Sequence, residues 1–156
     1  MSKGVPVAWG RCGPPPWAPG WPEREGAWTR GGIFISLDED LYQQLITTIV
    51  QLGGWADPAD QVAQLTDTEG RLFTLDDTKP GQAEWEYREG PFMAGPGVQI
   101  PDMQRITACL FSCRWTDMVV QLAQIMASRT RGTLWLLDGD GVVWDVAAVD
   151  PVAVRL

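Results

Sequence analysis

The chain has 156 residues, the size of one domain of about 100 to 200 residues, and is long enough to bury a core without metal or disulfide staples. Hydrophobic residues make up 45% and charged residues 21%, which excludes wholesale disorder and a coiled coil. The absence of histidine excludes chemistry that uses imidazole as base, proton shuttle or metal ligand. The net charge of −8 argues against nucleic-acid binding, which runs on Lys and Arg, and makes a basic partner the electrostatically natural one.

Residues 1–32 form an extended arm, because Gly13-Pro-Pro-Pro-Trp-Ala-Pro-Gly-Trp-Pro22 can neither continue a helix nor enter the middle of a sheet. Its start lacks the apolar core of a signal peptide, and no later run approaches the roughly 18 apolar residues of a membrane span. The sequence therefore predicts a cytoplasmic chain with no membrane association. The arm carries four of the nine tryptophans, Trp9, Trp17, Trp21 and Trp28, more aromatic weight than a polar linker has. It either packs on its own domain or wraps a partner, and in the second case Trp17 and Trp21 are the contact residues. The arm is basic by four residues to two, so residues 33–156 carry −10.

A single acidic α+β domain is expected over 33–156, built from two pseudo-repeats at 33–90 and 103–156, each a β-α-β-β(-β) unit. The units form antiparallel sheet with both helices packed on one face. In the first unit Ile33–Leu37 reads as a buried strand, and Ser36-Leu-Asp-Glu39 as a capping box opening a helix that runs to Gly53-Gly54. Leu41, Leu45, Ile49 and Leu52 give that helix one apolar stripe. Val62–Thr66 and Arg71–Leu75 flank Asp67-Thr-Glu-Gly70 as a hairpin, and residues 82–88 alternate Ala83, Trp85 and Tyr87 with Glu84, Glu86 and Arg88 as a further strand.

The order then restarts after a Gly/Pro-rich connection at 89–101. Residues 105–113 read as a strand, 117–128 as a helix with Met118, Leu122 and Ile125 on one side, and 132–146 as a hairpin around Asp138-Gly-Asp-Gly141. Phe34 and Asp40 map onto Phe111 and Asp117 at an offset of 77, and Asp67 and Gly70 onto Asp138 and Gly141 at an offset of 71, as in an internal repeat. The closing residues 149–156 are expected to add an edge strand after Pro151. Trp55, Trp115, Trp135 and Trp144 serve as core or rim.

The candidate chemistry is sparse. Cys109 and Cys113 on a strand share a face about 13 Å apart, too far for a disulfide. Three cysteines without histidine complete no standard zinc set, so both are expected as buried small apolar residues. Asp138-Gly-Asp-Gly141 has Val142 where a calcium loop needs another oxygen ligand, and a hairpin turn accounts for it. Asp76, Asp77, Glu84 and Glu86 read as solvated acids rather than an acid/base pair. No phosphate loop, nucleophile elbow or dinucleotide fingerprint occurs, so no enzyme, cofactor or metal is expected.

The strand-helix-three-strand order, present twice if the last strand forms, resembles the glyoxalase and bleomycin-resistance superfamily in architecture. Metal-binding members of that superfamily use His and Glu at set strand positions; with no His, the resemblance implies a metal-free, ligand-sequestering protein. Three readings follow. The first is a non-enzymatic, bacterial immunity or inhibitor protein that holds a basic partner such as a toxin, with Asp76, Asp77, Glu84 and Glu86 as contact residues. The second is a phage or other assembly protein whose arm drapes over a neighbouring subunit, and the third is the ligand-sequestering protein.

Overall fold

A computed structural model describes residues 31–77 and 87–156, so the arm, including Trp17 and Trp21, and residues 78–86, including Glu84 and Glu86, lie outside the described residues. The elements run β1 (Gly31–Ser36), α1 (Leu41–Gln51), β2 (Trp55–Asp57), β3 (Val62–Thr66), β4 (Leu72–Asp77), β5 (Met93–Ala94), β6 (Thr107–Ser112), α2 (Thr116–Arg129), β7 (Trp135–Leu137) and β8 (Val142–Asp145), and end in a 3-10 turn at Val146–Ala148. Among the described residues the fold is mixed α+β, with two helices and one eight-stranded sheet in the order β2-β3-β4-β6-β1-β7-β8-β5. Pairing is antiparallel except between β5 and β8, which run parallel.

Alternation along each strand sends one side chain set to each face. One set, including Phe34, Ala63, Leu65, Phe73, Leu75, Cys109, Phe111, Leu136 and Trp144, shares a core with Leu41, Leu45 and Ile49 of α1 and with Met118, Val119, Leu122, Ala123 and Met126 of α2. Both helices therefore cover the same face. Met126, fully buried, rather than half-buried Ile125, completes the inner side of α2. Phe34, Phe73 and Phe111 come from three adjacent strands, and the rings of Phe34 and Phe111 stack at 4.6 Å. The other face is also covered. Ile33, Ile35, Ala108, Leu137 and Val143 pack under Tyr87, Met103 and Ile106, and Arg88 ties this covering segment down by donating to the carbonyls of Met103 and Ile106.

Several expectations are corrected. Ser36 makes no capping box: its hydroxyl, buried at the end of β1, accepts from the Asp38 amide, and Asp38 in turn accepts from Asp40. These two turns consume the residues before the helix, which starts at Leu41 with Asp40 at its cap and no side-chain capping bond. The helix ends at Gln51 rather than running to Gly53. Gly53, at φ +98°, donates to Val50 O and Gly54 to Ile49 O, the paired bonds of a Schellman motif, which asks for a left-handed residue after the cap.

The strand expected over 82–88 falls largely outside the described residues; its last two, Tyr87 and Arg88, are helical. Residues 149–156 form no strand, because Asp150 turns the chain, its side chain accepting from Val152 N and its carbonyl from Ala153 N and Val154 N. That segment is held instead against the Asp138 turn, where Gly139 N donates to Arg155 O at 2.6 Å. The closing strand that the glyoxalase-like order requires is thus not formed.

Each half leans on the other at the centre of the sheet. β1 lies between β6 and β7, and β6 between β4 and β1. The first hairpin walks inward from the β2 edge until β4 meets β6, whereas the second starts beside β1 and walks outward. The ion pairs cross in the same way: Arg71 meets Asp117 at 2.8 Å, and Arg131 meets Asp40 at 2.7 Å, so the equivalent aspartates near the two helix starts are each held by an arginine of the opposite half.

Hydrogen bonds hold several of these carboxyls below the ordinary aspartate value of 3.8. The Arg71 amide acts first on Asp67, the Arg71 side chain on Asp117, and the Asp40 amide on Asp38. A depressed folded-state pKa stabilises the protein above the unfolded value, and that stability is lost as pH falls through the folded one. Urea midpoints are therefore expected to fall steeply below about pH 4. An Arg71→Ala variant is expected to flatten that fall, since it removes a cause at both Asp67 and Asp117; an unchanged acid slope in the variant refutes the assignment.

Candidate functional site

Two polar regions stand out, on opposite sides of α1. The first is an acidic corner of the sheet. Asp57, Val62 and Asp76 stand in one row across β2, β3 and β4, with Asp77 next along and exposed Asp60 in the turn between β2 and β3. Asp76 and Asp77 are half-buried rather than fully solvated. The Gln61 side chain donates to Asp77 at 3.4 Å, and Asp77 N donates to Gln61 O at 3.1 Å. Gln61 holds φ +53°, a left-handed conformation uncommon for a residue other than glycine. Tyr42 of α1 sits over this corner. Burial chiefly, and then the charges of Asp77, Cys109, Asp76 and Asp57, push its hydroxyl well above the ordinary tyrosine value.

The second region is an open cleft of about 740 Å³ between α1 and the end of α2, lined by Asp40, Gln43, Gln44, Thr47, Thr48, Gln51, Arg129 and Arg131. Its two arginines are held differently. Arg131 donates to Asp38 and Asp40, and its backbone N–H donates to Gln44 Oε1. Arg129 donates to the neutral Gln51 Oε1 at 2.7 Å and pairs with no carboxylate among the described residues. Sequence reasoning missed this cleft. Gln43, Gln44, Thr47, Thr48 and Gln51 recur at three and four residues along α1, an uncharged polar stripe that reads as ordinary solvent-facing helix until the arginines beyond α2 are folded against it.

The structure also shows where much of the acidity goes. Asp38, Asp57, Asp67, Asp102, Asp138, Asp145 and Asp150 each accept from the amide two residues ahead, the local turn for which aspartate is favoured. The two hairpin turns share one bonding pattern. Asp67 Oδ1 accepts from residues 69 and 71, and Asp138 Oδ1 from 140 and 142, while Gly70 and Gly141 both take left-handed φ, at +80° and +81°.

They differ in what the second oxygen does. Asp67 Oδ2 meets Arg71. Asp138 is buried, and its Oδ2 accepts from Trp144 Nε1 at 2.9 Å and Arg155 N at 3.2 Å.

Cys109 and Cys113 are buried and not joined in a disulfide, and burial, followed by the charge of Asp77, pushes the Cys109 thiol well above its ordinary value, which makes it a poor nucleophile. Among the described residues no group of three or more Cys, Asp or Glu is placed to hold a metal ion, and no helix is long and apolar enough to cross a membrane. Of the six residues singled out from sequence, the structure places Asp76 and Asp77, successive residues of β4 that alternate to opposite faces at the acidic corner; Glu84, Glu86, Trp17 and Trp21 lie outside the described residues. No family model, no curated protein and no solved structure matches this chain.

Proposed function

We propose that this chain is a non-catalytic protein-binding module that holds a basic partner protein, as a bacterial immunity protein holds its toxin in the cytoplasm, with the acidic corner as contact surface. The observation that carries this reading is the gathering of Asp57, Asp60, Asp76 and Asp77 at one corner of the sheet, across three neighbouring strands and their turn and on both of its faces. Carboxylates gathered on one corner favour encounter with a cation-rich surface, even where one of them, Asp57, also closes a turn, and the −10 carried by residues 33–156 extends that attraction beyond contact distance.

Two further elements of the proposal have their own support. The halves are read as copies of one unit because Ile33 and Leu110, paired at the centre of the sheet, differ by the same 77 positions as the sequence offset, and because the two hairpin turns share their bonds. A ligand-binding role has the interhelical cleft behind it, although glutamine, threonine and arginine line it rather than tryptophan. The assembly role rests on the arm.

Affinity capture from the native host, eluted by rising salt, tests the main reading. A stoichiometric basic protein is expected, and an Asp60→Lys/Asp76→Lys variant with unchanged circular dichroism is expected to associate with it at least about ten-fold more slowly. Recovery of no such protein, or equal association by the variant, overturns it.

A further inference from the structure

We infer that the cleft between the helices binds a polar monocarboxylate, with Arg129 as its anchor. Part of the hydrogen-bonding capacity around the cleft is already used within the protein. Gln44 is spent, its oxygen on Arg131 N and its amide nitrogen on Asp38 at 2.8 Å. The Thr47 and Thr48 hydroxyls donate to carbonyls one turn back in α1. Arg131 is neutralised by two aspartates.

What remains facing the cleft is mostly donors: the N–H groups of Arg129 not given to Gln51, the side-chain nitrogen of Gln51, and the amide of exposed Gln43. A guanidinium presents five donors in a fixed fork that matches a carboxylate. Among the described residues one of them is taken up, and by a neutral oxygen.

Charge narrows the class further. In a chain of net charge −8 a dianion such as a phosphate monoester is repelled by the protein as a whole, and the cleft offers a single cation without a carboxylate partner among the described residues to offset that. A monoanion suffers half the repulsion and gains the same fork. The flanking glutamines and threonine hydroxyls call for amide or hydroxyl groups beside the carboxylate, and a space of about 740 Å³ is within the range of small-molecule sites, about 300 to 1,000 Å³. Two sources share this chemistry, a free hydroxy acid and the C-terminus of a polar peptide. The cleft is on the side of α1 away from Tyr42, residues 44 and 48 lying roughly 200° and 240° round the helix from residue 42, so its occupancy and that of the acidic corner fail or succeed independently.

The test is a chemical-shift titration of the full chain, labelled with nitrogen-15, following the side-chain amides of Gln43 and Gln51 and the Arg129 Nε–H. The probes are gluconate, acetyl-Gly-Ser-Gly with a free C-terminus, and the same peptide amidated, each against sodium chloride at matched ionic strength. Saturable shifts at these three groups are expected with gluconate, the free peptide or both, and which of them binds names the source. An Arg129→Gln variant of unchanged thermal stability is expected to bind about ten- to a hundred-fold more weakly. The inference is overturned if neither carboxylate shifts these groups beyond sodium chloride, if the amidated peptide binds equally, or if Arg129→Gln binds as well as the parent.

Discussion

Replacing Asp138 by alanine is expected to lower the unfolding free energy by about 3 kcal/mol, because donors left unsatisfied in a buried setting each cost about 1 to 3 kcal/mol. Four donors lose their acceptor at once: the amides of Asp140, Val142 and Arg155 and the indole N–H of Trp144. Only the first two belong to the hairpin turn. The indole comes from the core-facing side of β8, and Arg155 from the end of the chain 17 residues away, so one carboxylate fastens the turn, the core and the terminal segment together.

Asp67→Ala supplies the control. It removes the same pair of turn bonds, but in place of the indole and the Arg155 amide its second oxygen meets a partly exposed arginine, and a distinctly smaller loss is expected. Urea unfolding of the two variants decides the matter: an Asp138→Ala loss no larger than that of Asp67→Ala means that the buried bonds contribute nothing beyond the turn.

Phe34→Ala is expected to cost still more, about 3 to 5 kcal/mol. Phe34 is fully buried in β1, which has neighbours on both sides, and its ring stacks on Phe111 at 4.6 Å and approaches Phe73 at 6.4 Å. Truncation opens a cavity against three strands and α1 that a paired central strand cannot collapse to fill. Set against the roughly 5 to 15 kcal/mol typical of a whole domain, that is about a fifth of the stability or more. Phe34→Leu keeps most of the volume and is expected to lose less than about 1.5 kcal/mol. The urea midpoint should fall in that order with an unchanged slope, and a Phe34→Ala loss below 1 kcal/mol contradicts the central placement of the ring.

What could be read from the sequence was whatever local chemistry decides. The stripe Leu41, Leu45, Ile49 follows from periodicity, and the hairpin of Val62–Thr66 and Arg71–Leu75 from the aspartate start and glycine end of Asp67-Thr-Glu-Gly70. β2 and β5, of three and two residues, carry too few positions for any alternation to register; they exist because β3 and β8 offer open edges. Ser36-Leu-Asp-Glu39 fits a capping box equally well as a pair of turns, and burial of Ser36 at the strand end chose the turns. The acidic corner was half visible, as Asp76 and Asp77, while Asp57 and Asp60 join it only through strand pairing. The cleft was not visible at all: nothing in a Gln/Thr stripe announces that Arg129 and Arg131, about 80 positions later, close its far wall.

The crossed pairing at the centre of the sheet also bears on how the chain is made. β1 is synthesised early, yet its partners are residues 107–112 and 135–137. At a translation rate of about 5 to 20 residues per second, the wait for the first partner is on the order of several seconds and that for the second somewhat longer. Throughout that interval Ile33-Phe-Ile35 has both edges unpaired and an apolar face with no cover from α2. Such a segment pairs readily with any other exposed strand, including its own copy on a neighbouring nascent chain. The topology that gives the finished domain its most protected strand therefore makes the same strand the one most in need of shelter on the ribosome.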